Sequence, residues 1–265
     1  MNSAGLLRET VYQVLTEIQY RLLKKLSPGP PACCSGSAYE GKSKLTVLMG
    51  DYFFSRIAEK VVIDFGCGEG ADAIEIAHRG AKRVIGVDIR NDLLQLARER
   101  ALRAGVQKTC SFETSTNERA DVIVSADAFE HFADPGGILQ VMDVLLQPAG
   151  EVFVSFGPTW YHPLGGHLFS VFPWAHLLFS EEALIRWRST FKSDGATKFS
   201  ETVGGLNQMT IGRFEELVAR SPLRFTSLDL VPIRALGFFQ NRLTREFTTA
   251  IVRCRLVKRG RSHGN

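Results

Sequence analysis

Val61-Val62-Ile63-Asp64-Phe65-Gly66-Cys67-Gly68-Glu69-Gly70, followed by Ala71-Asp72-Ala73-Ile74-Glu75-Ile76-Ala77, decides how this chain folds. The apolar run reads as a buried strand ending in an acid, and the segment after the three glycines reads as a helix. Glycine takes positive φ and has no Cβ, so the turn can be tight and a ligand can approach the main chain closely. Free backbone N–H groups at the helix N-terminus favour negative or electron-rich groups. The stretch predicts a site for a nucleotide-like cofactor.

Gly66-x-Gly68-x-x-Ala71 also fits the dinucleotide fingerprint, so a nicotinamide-dependent oxidoreductase is one reading. Two neighbours argue against it. Asp64 stands at the strand tip, where phosphates would lie, and a carboxylate there suits a positively charged ligand. Val84-Ile85-Gly86-Val87-Asp88 is a second apolar strand ending in an acid, 24 residues after Asp64, which fits one crossover helix. Asp88 could accept hydrogen bonds from both ribose hydroxyls and would repel a 2′-phosphate.

At these residues the chain resembles the class I S-adenosylmethionine-dependent methyltransferases. Their first motif, acid-x-Gly-x-Gly-x-Gly, is matched by Asp64, Gly66, Gly68 and Gly70, and their second-strand acid by Asp88. The resemblance runs on through Asp121-Val122-Ile123-Val124-Ser125-Ala126-Asp127-Ala128-Phe129-Glu130-His131-Phe132, which looks like the fourth strand and its loop. It extends to Leu146-Gln147-Pro148-Ala149-Gly150-Glu151-Val152-Phe153-Val154-Ser155, with the usual Lys-Pro-Gly-Gly turn altered. It covers roughly residues 55 to 157. It implies a Rossmann-like α/β fold: a seven-stranded, mostly parallel sheet with helices on both faces and an antiparallel C-terminal strand. It also implies S-adenosyl-L-methionine as cofactor and a methyl acceptor near the fourth-strand loop.

The chain has 265 residues, is 45% hydrophobic and carries a net charge of +4 from 32 basic and 28 acidic residues. That balance is too mild to indicate nucleic acid, and the stretch Arg253 to Arg261 reads as a solvated basic terminus. A nucleic-acid methyltransferase would also usually show an Asn-Pro-Pro-Tyr-type loop where Asp127-Ala128-Phe129-Glu130 stands. A non-catalytic subunit that keeps the fold is a further alternative, disfavoured by the intact glycines and both acids. Five cysteines (Cys33, Cys34, Cys67, Cys110, Cys254) are odd in number and lack metal-ligand spacing. With no N-terminal signal evident, the expected compartment is the cytoplasm.

The expected organisation is an N-terminal amphipathic helix and linker (1–43), a methyltransferase domain (44–257) and a basic tail (258–265). The helix runs from Leu6 to Leu26 and breaks at Ser27-Pro28-Gly29-Pro30-Pro31. Residues Lys44 to Glu59 read as one helix. Asn91 is expected to cap the next helix but one, and Asp134-Pro135 to open the helix ending at Leu146. After the fifth strand the regularity stops, and residues 157–210 form an aromatic, irregular insertion next to the expected substrate region. A helix from Thr210 to Arg220 and two final strands, Phe225 to Val231 and Phe247 to Val257, complete the chain.

Candidate cofactor contacts are Asp64, Gly66, Cys67, Gly68, Gly70 and Asp88, with Ile89 flanking the adenine, Phe112 and Glu113 near the base, and Ser125 and Asp127 on the rim. Cys67 reads as a small filler. Candidate general bases are His131, His162 and His167, since imidazole is best suited to take a proton near neutral pH. For Glu130-His131 the resemblance implies first a structural role, packing against and capping the following helix, with His131 as general base the alternative. His176, in the same insertion, reads as packing or surface. No metal is expected, although Asp127, His162 and His167 could in principle hold one. The expected partner is a small, apolar or aromatic methyl acceptor; the run Phe169 to Phe179, too short to span a bilayer, reads as a pocket lid and packing, with a second small core or contact with a membrane surface as alternatives; oligomeric state is not legible.

Overall fold

The computed structural model describes residues 3–29, 42–202 and 204–260. The predicted linker falls largely in residues 30–41, outside the described residues. Among the described residues seven strands form one sheet: β1 (Val61–Phe65), β2 (Arg83–Val87), β3 (Cys110–Glu113), β4 (Ala120–Ala126), β5 (Leu146–Phe156), β6 (Leu223–Pro232) and β7 (Thr249–Lys258), in the order β3-β2-β1-β4-β5-β7-β6. The first five pair in parallel, and β7 runs antiparallel to both β5 and β6. The helices are α1 (Ser3–Leu26), α2 (Lys44–Met49), α3 (Asp51–Ile57), α4 (Ala71–His78), α5 (Asn91–Arg103), α6 (Pro135–Leu145), α7 (Ala175–Leu178), α8 (Glu181–Arg188), α9 (Ile211–Arg220) and α10 (Arg245–Thr248).

Alternation along the strands feeds two cores. Val62, Val84, Val122 and Val124 pack under α2 to α5, while Ile63, Ile85, Ile123 and Val152 pack under α6 and α9. A parallel sheet covered on both faces needs such continuous apolar strands. Between β1 and β4 the strand order reverses, and crevices at such points, beyond the carboxyl ends of the strands, hold ligands.

Several local expectations are corrected. The predicted helix Lys44 to Glu59 is two helices, because Gly50 (φ 75°) ends α2 and starts α3. Asn91 is the first residue of α5, not its cap. Asp88 accepts the Arg90 N–H at 3.0 Å and so turns the chain one residue earlier, leaving Arg90 at the cap. Asp134 does cap α6, accepting the Gly137 N–H at 2.9 Å. Within the described residues the basic stretch is not a solvated run: Arg253, Arg255 and Lys258 lie in β7 and pair with Asp229, Glu151 and Asp143, while the rest of the expected tail, residues 261–265, lies outside the described residues.

The insertion carries a third core, and α1 belongs to it. Leu23 packs with Phe169, Leu184, Trp187 and Phe199, with Trp160 and Phe179 partly buried against them. Gln19 Oε1 accepts from both the N–H (2.9 Å) and the hydroxyl (2.8 Å) of Ser180, and Trp187 Nε1 donates to the Ser27 carbonyl at 2.8 Å. The N-terminal helix therefore docks on α8. This contact joins segments some 160 residues apart in the chain, which no local pattern encodes.

Candidate functional site

The glycine turn between β1 and α4 is built by steric necessity. Gly66, Gly68 and Gly70 all have positive φ. A Cβ on Gly66 would lie 2.7 Å from Ala128 Cβ, and one on Gly70 would lie 2.7 Å from Phe112 Cε1 and 2.8 Å from Ala97 Cβ. The turn is held to the sheet by the Gly66 and Cys67 N–H groups, both donating to the Val87 carbonyl, at 2.8 and 3.1 Å.

Carboxylates converge on this turn. Asp64 is buried at the end of β1; its Oδ2 has no hydrogen-bond partner, while the Ala73 N–H donates to the carboxyl group. Burial, reinforced by the charge of Asp72, pushes the Asp64 carboxyl up to about 8. Asp88, just beyond β2, accepts from the Gly68 N–H at 2.9 Å and from Arg90 Nε at 3.2 Å. Burial works to raise it, but the hydrogen bonds from Arg90 and Gly68 outweigh that and hold it below the usual carboxylate range. Ile89 follows, 87% exposed, an apolar side chain standing free beside the ribose-binding candidate. An orphaned buried carboxylate oxygen, an unobstructed glycine main chain, an ionised acceptor and a bare apolar flank fit a cationic nucleoside.

Lys44, which the sequence reading missed, completes the charge pattern. Its ammonium lies 2.9 Å from Asp72 Oδ2 and 3.8 Å from Asp127 Oδ2. Burial alone would lower its pKa, yet the charges of Asp72 and Asp127 raise it. No local signal separates Lys44 from other surface lysines. Asp127 sits at φ 52°, an uncommon conformation that Asp tolerates, with its N–H held by the Ser155 carbonyl at 2.9 Å. Ser125 is fully buried at the end of β4.

Phe112 does not reach the rim. It is wedged beneath the turn, where a Cβ on Gly86 would lie 2.6 Å and one on Gly70 2.7 Å from its ring, so its ring supports the glycines. Glu113, half-buried, offers its carbonyl to the Asp88 N–H at 3.2 Å. Cys67 Sγ packs toward β2, 2.9 Å from where a Gly86 Cβ would stand, and burial pushes its thiol up, so it is an inert filler.

The loop after β4 is fastened to the end of the insertion. Asn207 Nδ2 donates to the Phe129 and Phe132 carbonyls at 2.7 and 2.8 Å, and its N–H donates to the Glu130 carbonyl at 2.9 Å. His131 Nδ1 lies 2.8 Å from the Gly205 carbonyl, which can only accept, so Nδ1 carries the proton and Nε2 is left as an acceptor. The His131 and His167 rings meet edge to face at 5.3 Å. His167 Nε2 is buried without a partner while the Pro158 carbonyl takes the other side of the ring; burial, then the neighbouring His131, depresses its pKa to about 4. The structure thus brings together two of the three candidate bases.

His162 is engaged elsewhere: its Nδ1 accepts the Leu164 N–H at 2.9 Å, which leaves it no free acceptor nitrogen for a base. His176 is buried against Trp160 and bonds its carbonyl at 2.6 Å. No cluster of three or more metal-ligand side chains occurs among the described residues, so Asp127, His162 and His167 do not form the alternative metal site.

Glu130 is buried with Oε1 facing the Gly157 N–H at 3.4 Å and Oε2 unpartnered; burial, then the charge of Asp127, raises its pKa to about 8. An acid raised in the folded state contributes stability that is complete below its unfolded pKa and is lost as pH rises through the folded value. The Glu130→Gln protein should therefore gain on wild type from pH 5 to pH 9, on the order of a few kcal/mol in urea denaturation. Asp64 titrates in both proteins, so the difference isolates Glu130. A stability difference independent of pH would refute the assignment.

Strand order, glycine turn and the acids ending β1 and β2 stand as the resemblance to class I S-adenosylmethionine-dependent methyltransferases implies. Residues 58–158 match the family model described as a methyltransferase domain. The ubiquinone biosynthesis O-methyltransferase of Serratia proteamaculans is 37% identical over 121 residues, 42% of this chain and 50% of that protein. The protein of the same name from Yersinia pestis matches to the same extent, so the chain spans about half the length of the curated relatives it matches. Among solved structures, magnesium protoporphyrin IX methyltransferase from Synechocystis PCC 6803, with bound SAH, has TM-score 0.53 and 14% identity, covering 91% of this chain and 93% of that one. The [4+2]-cyclase SpnF has TM-score 0.55 and 13% identity, covering 93% and 96%. At these identities the likeness shows the fold alone, and a cyclase among the neighbours shows that the fold does not fix the reaction.

Proposed function

We propose that this protein is a cytoplasmic enzyme that transfers the methyl group of S-adenosylmethionine to a hydroxyl oxygen of a small, apolar or aromatic molecule. The observation that carries the reading is the close approach of the glycine turn to the loop after β4, where a Cβ on Gly66 would lie 2.7 Å from Ala128 Cβ; the same loop carries His131, which meets His167 of the insertion. Oxygen as the acceptor atom is supported by the O-methyltransferase relatives. An apolar acceptor is supported by Phe132, whose ring lies 3.6 Å from where a Gly66 Cβ would stand and so edges the mouth. No helix among the described residues is long and apolar enough to cross a membrane, and the three described cysteines are free and buried, in keeping with a reducing compartment.

Asp64, the Gly66–Gly70 main chain and Asp88 would hold the cofactor, with Lys44 balancing the surrounding carboxylates. When bound, the cofactor supplies a methyl group already activated by its sulfonium. The remaining work is positional: bring the acceptor oxygen into line and keep water out. His131 Nε2 accepts the hydroxyl proton, and the depressed basicity of His167 keeps that ring neutral beside the imidazolium that forms.

The test is incubation of the purified protein with isotopically labelled methyl donor and a cell extract, with mass-spectrometric identification of the labelled product. His131→Ala should lower turnover by about 10²–10⁴-fold with cofactor affinity retained. Label appearing on nitrogen or carbon, or an unaffected His131→Ala protein, would overturn the hydroxyl-and-base reading; no transfer to any extract component would overturn the activity itself.

A further inference from the structure

Phe169 of the insertion's aromatic run is buried in the third core, with Val171 and Phe179 partly buried against it. Among the described residues, the exposed phenylalanines lie elsewhere, in the connection between β6 and β7. Phe238 is 104% exposed, as much as in an extended peptide, with Phe239 at 65% and Leu243 at 89%. Three large apolar groups within six positions, all projecting, have no counterpart in a chain merely turning between strands.

The segment is not loose. Gln240 Nε2 donates to the Leu230 carbonyl at 3.1 Å and to Thr249 Oγ1 at 2.9 Å. Asn241 Oδ1 accepts from the Leu243 and Thr244 N–H groups at 2.8 and 3.2 Å, and Asn241 Nδ2 donates to the Phe239 carbonyl at 3.2 Å. Backbone groups at the tip are thus substantially satisfied by the segment itself, which is what a loop must achieve before it can enter an apolar phase. Charge points the same way. Arg234 and Arg242 are exposed on either side of the phenylalanines, and the stretch from Ile233 to Arg245 contains no acid. Arg245 is already paired with Glu215, and Glu246 turns inward to the Ile211 and Gly212 N–H groups.

We propose that the β6–β7 connection docks this protein on an anionic lipid bilayer, with Phe238, Phe239 and Leu243 entering the interfacial region and Arg234 and Arg242 resting on the headgroups. A projecting tip with a basic rim fits a flat, negatively charged surface, where apolar burial and electrostatic attraction add. The loop joins the catalytic side of the molecule through Phe247, whose ring lies 5.3 Å from that of Tyr161 in the insertion.

The test is co-sedimentation of the full chain with vesicles of phosphatidylcholine alone and of phosphatidylcholine with phosphatidylglycerol. Wild type should partition to the anionic vesicles, less so as salt is raised. Arg234→Ala with Arg242→Ala should weaken this by roughly fivefold per arginine. Phe238→Ser with Phe239→Ser should weaken it by about tenfold or more. These side chains are exposed, so thermal unfolding and S-adenosylmethionine affinity of both variants should match wild type, which separates lost docking from lost folding. Wild type ignoring both vesicle types, or binding that survives both double variants, overturns the proposal. Concentration-dependent self-association abolished by the serine variant, without vesicle binding, would instead assign the tip to a second copy of the chain.

Discussion

Calorimetric titration of the Asp88→Ala protein with S-adenosylmethionine is expected to show affinity at least about 100-fold below wild type. Asp88 is the ionised acceptor at the end of β2, kept so by Arg90 and by the Gly68 N–H. Hydrogen bonds to a charged group contribute about 1.5–3 kcal/mol each, and two ribose hydroxyls would lose theirs together. At 1.4 kcal/mol per factor of ten, even the lower figure gives two orders of magnitude. The variant also loses the acceptor of the Gly68 and Arg90 N–H groups, at a cost of about 1–3 kcal/mol each, so thermal unfolding is followed alongside the titration to confirm that the protein titrated is folded. Asp88→Asn keeps an acceptor without the charge and should fall between the two. Equal affinity in wild type and Asp88→Ala would remove the cradle, and with it the cofactor assignment, whatever the fold.

Gly70→Ala should do damage of a different kind. Its φ of 77° disfavours any side chain by about 1–2 kcal/mol, and the new methyl group would press on Phe112 and Ala97 at under 3 Å. Phe112 cannot retreat, because Gly86 already admits its ring only by lacking a Cβ. The sum, about 3 kcal/mol, should lower Tm by roughly 6–12 °C and displace the N–H groups that face the ligand. Gly68→Ala is the control: its φ is 50°, and the nearest atom to a new Cβ is Arg90 Nη2 at 3.9 Å. That variant should lose only about 1 kcal/mol of stability. Comparable thermal shifts for the two would show that packing against Phe112 does not set the shape of the turn.

The elements legible in the sequence are those whose cause lies within a few residues. An apolar strand, an acid and three alternating glycines require a strand, a tight turn and a helix. Asp134-Pro135 starts α6 because the cap and the fixed φ of proline act within one turn. Asp88 is recognisable because one crossover helix separates two strands whose tips must lie side by side. The failures share the opposite property. Phe112 looks like a rim residue on β3 until Gly70 and Gly86 are seen to close over it. His162 and His167 lie in the same sequence environment, yet one ring is held by the Leu164 N–H while the other faces His131. Arg253, Arg255 and Lys258 read as a charge run, whereas strand alternation and the neighbouring carboxylates give each a partner.

By itself, then, the chain determines the strand-turn-helix cradle, the two acids at its edges and the succession of strands and helices in the parallel core, since backbone hydrogen bonding and side-chain alternation act locally. Tertiary structure alone brings Lys44 to the β4 loop, across 82 residues, and lays α1 on the insertion. It likewise leaves His131 and His167, but not His162, with an acceptor nitrogen free. Those outcomes depend on which surfaces remain unburied after the sheet has formed, and burial is a property of the assembled layers that no short window of sequence contains.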